Sequence, residues 1–352
     1  MITIPRPHEE PKMSHYVYVL ARERNRVLVF SMAPDSGRLT LRSEAGLDGS
    51  PYTGCFSPAQ DTLYVTITID RQPFVSCFSV AQQTGGLTPI GTLPMEADPC
   101  YLSVDNTGRF LFAAYYLAGM VTVHARNADG TINETVVGQY KTEKYAHFIK
   151  TDATNRYAFV PHVESANAIY QFLFDQDTGK LTPNAVPKVD AGPGQGPRHL
   201  GFHPTLDVVY ADNEQECSVT VYGFDKSKGT VTALQTVSTL PDEGYDGDKS
   251  NAQLHLHPQS RAVYASNRGP DSIAMFAIDP DTGLITSLGQ QPGVKIPRAF
   301  GIDPDGDYMY AGGDASPLLV TYRIDHRGAL HALDDTYEVG TSTGWVLPVK
   351  FS

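Results

Sequence analysis

The chain has 352 residues, 41% of them hydrophobic, with 19 Tyr, 15 Phe and a formal net charge of −12. That apolar content excludes an acidic disordered chain, and no apolar run approaches the roughly 20 residues of a membrane-crossing helix. The acidic balance argues against broad nucleic-acid binding, which draws its affinity from Lys and Arg on phosphates.

The first residues, Met1 to His15 (MITIPRPHEEPKMSH), contain no apolar core for a secretory signal. A tail over 1–15, a single domain over 16–352 and a cytoplasmic address are therefore expected. Cys55, Cys77, Cys100 and Cys217 are dispersed without a C-x-x-C pair, so reduced thiols are expected and neither a zinc site nor a disulfide framework.

From Tyr16 the run YVYVLA reads as the first strand. Seven glycine-containing turns then recur at Gly37, Gly86, Gly130, Gly179, Gly229, Gly283 and Gly328, spaced 49, 44, 49, 50, 54 and 45 residues apart. Each follows a β-rich run (LVFSM, VSCFSV, VTVHA, IYQFLF, VTVYGF, IAMFAI, LVTYRI) and so reads as the tight turn of a hairpin. From the second unit on, a short strand, a turn and an aromatic-bearing strand precede each hairpin, as in FSPAQDTLYV, VDNTGRFLFA, TDATNRYAFV, FHPTLDVVYA, LHPQSRAVYA and IDPDGDYMYA.

Each unit is thus four short strands, a to d, and helical periodicity is absent throughout. Four-stranded units repeated radially predict an all-β, seven-bladed β-propeller. The first unit lacks a strand a, whereas WVLPVKF (Trp345 to Phe351) follows the last hairpin. The C-terminal strand is therefore expected to join blade one, closing the ring and removing exposed edges.

Antiparallel alternation places the start of strand a and the end of strand b on one face of the ring. The starts of strand a align as Tyr52, Cys100, His147, Arg198, Ala252 and Arg298, and the ends of strand b as Arg22, Thr68, Tyr116, Val163, Glu214, Arg268 and Asp314. Blades four to seven therefore carry His147, Arg198, Glu214, Arg268 and Arg298 around one mouth. Arginine grips anions through a planar fork of donors, and Glu or His can move a proton near neutral pH. This set suits lactone hydrolysis without a metal. His255 inside strand a of blade six is a candidate to line the channel, and His162 at the end of a strand b is a candidate beside the mouth. His203 and His257 lie in H-P turns at the far end of strand a. The acidic tract Pro241 to Ser250 (PDEGYDGDKS) is expected as a loop on the mouth side.

The run GPGQGPRHLGFHP (Gly192 to Pro204) followed by YADNE, then NAQLHLHP with YASNR, and IPRAFGIDPDG resembles the seven-bladed propeller lactonases. That group includes bacterial 6-phosphogluconolactonase and fungal carboxy-cis,cis-muconate cyclase. The resemblance covers nearly the whole chain from Tyr16 and is closer to the phosphogluconolactonase side. It implies catalytic roles for His147, Arg198, Arg268 and Glu214, while Arg298 and His255 match the bacterial branch.

The expected function is thus a metal-independent lactonase acting on an anionic sugar lactone, with 6-phosphogluconolactone the first candidate. Glu214 is expected to activate water, Arg198 and Arg268 to bind the anionic group and the oxyanion, and His147 to assist proton transfer. Arg298, His255 and His162 are expected on the substrate. No cofactor, nucleic-acid or membrane partner is expected. Two alternatives are the reverse chemistry, a muconate-type lactonizing cyclase, and a non-enzymatic interaction platform.

Overall fold

The computed structural model describes residues 14–351, and among them 28 β-strands form seven four-stranded antiparallel sheets arranged as blades. The expected tail falls on residues 1–13, outside the described residues, together with Ser14 and His15, which already belong to the strand Ser14–Ala21. Six blades run in chain order from strand a to strand d. In blade 1 the C-terminal strand Thr343–Phe351 supplies strand a, pairing Tyr16 with Val349 and Tyr18 with Leu347. Ring closure is therefore a hydrogen-bonded seam between the two ends of the fold.

Burial explains the strand types. The second strands, such as Tyr157–His162 and Val208–Asn213, are buried along their whole length because blades pack against both of their faces. Outer strands such as Ile132–Lys141 are mostly exposed. Seven apolar clusters fill the gaps between neighbouring blades; one joins Val17, Leu28 and Phe30 of blade 1 to Tyr310 and Leu319 of blade 7.

The repeated aromatic of strand b has a specific task. The hydroxyls of Tyr18, Tyr64, Tyr210, Tyr264 and Tyr310 donate to the carbonyls of Gly85, Gly130, Gly283, Gly328 and Gly37, at 2.7 to 2.8 Å. Each bond crosses to the hairpin turn of the next blade. These glycines adopt the left-handed backbone that the turn requires, with φ between 68° and 91°. In the second turn the left-handed residue is Gly85 rather than the expected Gly86. Blades 3 and 4 carry Phe112 and Phe159 in the register of these tyrosines and so lack the tie. Tyr210→Phe should cost about 1 kcal/mol, because a buried turn carbonyl loses its donor. Chemical denaturation should show this as a lower midpoint at unchanged slope.

The turns after strand a are held by polar side chains. Asp303 Oδ1 accepts the backbone N–H groups of Asp307 and Tyr308, and His203 Nδ1 accepts those of Thr205 and Leu206. His257 Nδ1 does the same for Gln259. Both H-P histidines are thus turn formers.

Candidate active site

The starts of strand a depart from regular pairing, and this sets the mouth. Register breaks fall between Pro51 and Gly54, Pro197 and Leu200, Asn251 and Leu254, and Pro297 and Ala299. A bulge re-aims side chains that strict alternation would send elsewhere. Tyr52, Arg198 and Arg298 all sit in such breaks, and all three line the mouth. Two residues before His147, Arg198 and Arg298 the backbone is left-handed, at Tyr145 (φ 73°), Gly196 (φ 69°) and Ile296 (φ 52°). Glycine adopts this freely, whereas a β-branched residue there is strained. The strain at Ile296 is held by Asp271 Oδ1, which accepts its N–H at 2.7 Å, as Asn167 Oδ1 accepts that of Gly196 at 2.7 Å.

The mouth is a depression of about 950 Å³ lined by His147, Arg198, Glu214, Arg268 and Arg298 together with Arg22, Tyr52, Asp98 and Tyr116. Hollows of comparable volume lie at Arg38 and Arg42 and at Arg261 and Arg323. The mouth differs from these in gathering residues from the inner strands of many blades.

Glu214 is the hub. One carboxylate oxygen accepts Arg198 Nε at 2.9 Å and the other accepts Arg268 Nη2 at 2.7 Å. With side-chain exposures of 3% for Arg198, 15% for Glu214 and 18% for Arg268, the triad is shielded enough for its charges to couple strongly. The backbone of Glu214 is also fixed: its N–H donates to Gly196 O at 2.7 Å, and its carbonyl accepts Asn251 N–H at 3.0 Å. Arg268 Nη2 reaches the Asn251 carbonyl at 2.5 Å.

His147 stands beside this triad, with its ring against Tyr116 and His199 at centroid distances of 5.7 and 5.4 Å. Neither ring nitrogen bonds to another described residue, and Nδ1 is buried without a partner. Burial, reinforced by the Arg198 and Arg268 guanidinium groups, holds its proton affinity well below that of a free imidazole. His147 is therefore a neutral acceptor at the pocket wall.

Two neighbours were not legible in the repeat. His199 accepts Arg198 Nη1 at 3.1 Å, and burial followed by Arg198 keeps it neutral as well. Asp212 is fully buried; its Oδ1 accepts the His199 N–H at 2.8 Å and its Oδ2 is unpartnered. Burial pushes the Asp212 carboxyl up to about 7, against the pull of Arg198. Arg198 and His199 are consecutive, so strand alternation would send them to opposite faces. The bulge puts them in contact with each other, and no periodicity announces a bulge.

Arg298 lies two blades on from Glu214, against Tyr52 and Asp314 rather than the triad. His255 does not line the mouth; it sits further along its strand, edge-on to Phe300 at 4.7 Å, with Nε2 at 3.3 Å from Gln253 Oε1. His162 is also absent from the wall. It is fully buried, its Nδ1–H donating to Val160 O at 2.9 Å and its Nε2 accepting the Thr142 hydroxyl at 2.8 Å, so neither nitrogen is left for a ligand. The acidic tract 241–250 contributes no residue to the pocket lining. Among the described residues no three His, Cys, Asp or Glu side chains converge as a metal ion would require.

An all-strand ring with a polar, arginine-rich mouth defines a class, and the comparisons specify it. The family model for lactonase, 7-bladed beta-propeller, matches residues 21–348. The chain belongs to that family and is a lactonase, a hydrolase. The chain is 31% identical over 336 residues to a 6-phosphogluconolactonase of Pectobacterium carotovorum, covering 95% of this chain and 98% of the relative. A 6-phosphogluconolactonase of Cronobacter sakazakii is also 31% identical, with the same coverage. The solved periplasmic gluconolactonase of Pseudomonas aeruginosa superposes with a TM-score of 0.87 at 24% identity, covering 96% of this chain and 99% of that one. A protein from Lactobacillus plantarum gives 0.85 at 21%, with 96% and 99% covered. At those identities the two structures speak to the fold alone.

Proposed function

We propose that the protein hydrolyses an anionic sugar lactone without a metal ion, with 6-phosphogluconolactone as its first substrate. The observation that carries this reading is the neutral, unpartnered His147 beside the Arg198–Glu214–Arg268 triad. The curated relatives named 6-phosphogluconolactonase support the choice of substrate.

The roles follow from which atoms are free. Both Glu214 oxygens are occupied by arginines, whereas the His147 ring has no partner among the described residues, so the water-activating role expected of Glu214 is given to His147. The lactone carbonyl is placed against Arg198 and Arg268, each of which keeps a terminal nitrogen free of protein partners. His147 takes a proton from water as the water oxygen bonds to the carbonyl carbon. The tetrahedral oxyanion then faces two fixed guanidinium groups, which need no reorganisation to stabilise it. As the ring C–O bond breaks, the imidazolium returns its proton to the leaving oxygen, yielding the hydroxy acid and neutral His147. Glu214 holds both arginines in place through these steps.

The test is direct. Purified protein is mixed with freshly made 6-phosphogluconolactone and acid release is followed against the spontaneous rate. A kcat/KM on the order of 10⁴ M⁻¹s⁻¹ or more is expected. No acceleration with any sugar lactone would overturn the reading.

A further inference from the structure

The reaction just described uses one arc of the mouth, blades 4 to 6. Blades 7, 1 and 2 build a second positive pole opposite it. The Tyr52 ring carries two guanidinium groups, with Arg22 Cζ at 5.2 Å and Arg298 Cζ at 4.9 Å from its centroid. Both arginines lean on one carboxylate: Arg22 Nη1 lies 3.8 Å from Asp314 Oδ1, and Arg298 Nη1 lies 3.5 Å from Oδ2. Arg22 Nη1 also donates to Ser342 Oγ at 3.0 Å, and that hydroxyl donates to Asp314 Oδ1 at 3.2 Å. Arg298 Nη2 donates to the Tyr52 hydroxyl.

This arrangement orients both cations and leaves donors over. Arg22 Nη2 and Arg298 Nε bond to no described residue. Two like charges are held together against a single shared carboxylate, so surplus positive potential faces the pocket. The other nearby charge is Asp98, which lines the pocket without a hydrogen bond of its own; burial draws its carboxyl toward the neutral form, opposed by Arg22. The Tyr52 ring and Asp314 hold each guanidinium in place with one donor free, so the pair together can offer one N–H from each arginine to two oxygens of one anion.

We propose that Arg22 and Arg298, stacked on Tyr52, seat a permanent anion on the substrate, so that the pocket selects lactones bearing a phosphate or carboxylate remote from the ester. The inference rests on the lactonase reading above and deepens it. It gives Arg22 a role as a specificity determinant distinct from the triad: one pole meets the transient oxyanion, the other the permanent charge. A mouth of about 950 Å³ has room for both ends of a sugar acid.

The competing explanation is structural, since Arg22, Ser342, Asp314 and Arg298 also stitch blade 7 to blade 1. The two separate on substrate discrimination. Wild type, Arg22→Met and Arg22→Lys are assayed for kcat and KM with 6-phosphogluconolactone, with glucarolactone, which carries a carboxylate, and with uncharged gluconolactone. In Arg22→Met the ratio of kcat/KM for an anionic lactone to that for the uncharged one should fall about 10-fold or more, through KM, with partial recovery in Arg22→Lys. Whichever anionic lactone loses more identifies the group that the seat holds. An equal loss on all three lactones, or an unchanged ratio, overturns the proposal. If the wild type hydrolyses none of them, the lactonase reading fails and the seat is judged by melting temperature in inorganic phosphate. A rise in wild type that Arg22→Met lacks supports the seat; equal rises, or none in wild type, overturn it.

Discussion

His147→Gln should lower kcat/KM on the preferred lactone by on the order of 10²- to 10⁴-fold, the range for removal of a general base. The fold should survive, because the His147 ring forms no hydrogen bond that glutamine would forfeit. The pH profile gives the sharper readout. The active species is the neutral imidazole, whose folded proton affinity is depressed by burial and then by Arg198 and Arg268. Activity is therefore complete above the folded pKa and lost only as pH falls through it. The acid limb of kcat/KM should lie well below 6.5, leaving the rate level across neutral pH. A limb near 6.5 would mean that the imidazole is solvated and that the packing described here does not govern it.

Glu214→Gln should also weaken the enzyme, but by a smaller factor, roughly 10- to 100-fold. The amide oxygen can still accept from one arginine, but the NH2 faces the donors of the other and neither arginine keeps a counter-charge. Because the triad is only partly solvated, the loss should also appear as about 1–3 kcal/mol of stability in denaturant titration. The acid limb, set by burial of His147 and by Arg198 and Arg268, should remain in this variant. The two variants together decide the assignment of roles. If Glu214→Gln proved the more damaging and abolished the acid limb, Glu214 would be the base, as the sequence pattern alone suggests.

That proposed exchange of roles illustrates where sequence reading stops. Glu214 and His147 were both identifiable because the repeat aligns them with positions that must converge at one mouth. Which of them is free to take a proton depends on the arginines that reach Glu214, and no spacing reports this. His162 shows the same limit from the other side. It ends a strand b, as the expectation required, yet its ring turns into the blade between Val160 and Thr142. Position along a strand fixes the face of the ring, but not which way a terminal side chain points.

Arg22, Tyr52 and Asp314 stand in the repeat alignment without distinction, since an isolated arginine or tyrosine at a strand end is ordinary. They acquire meaning only together, when ring closure brings the first strand, the second blade and the seventh blade against one another. Asp98 lies two residues before Cys100, at the loop position that carries Tyr145, Gly196 and Ile296 in other blades, and no residue type repeats there.

The turn spacing of 44 to 54 residues, the strand pattern between the turns and the unpaired last strand were sufficient, by themselves, to specify an all-β ring of seven blades closed by that strand. Strand periodicity and turn chemistry are local, and a short repeating rule written seven times leaves few other ways to bury its apolar faces. The tertiary structure alone decided the chemistry of the mouth. Bulges, the left-handed residues before His147, Arg198 and Arg298, and contacts between distant blades set which donors are occupied and which remain free. Those are long-range relations: the repeat brings four arginines to one opening in a chain of net charge −12, but only the packing decides which of their donors stay free.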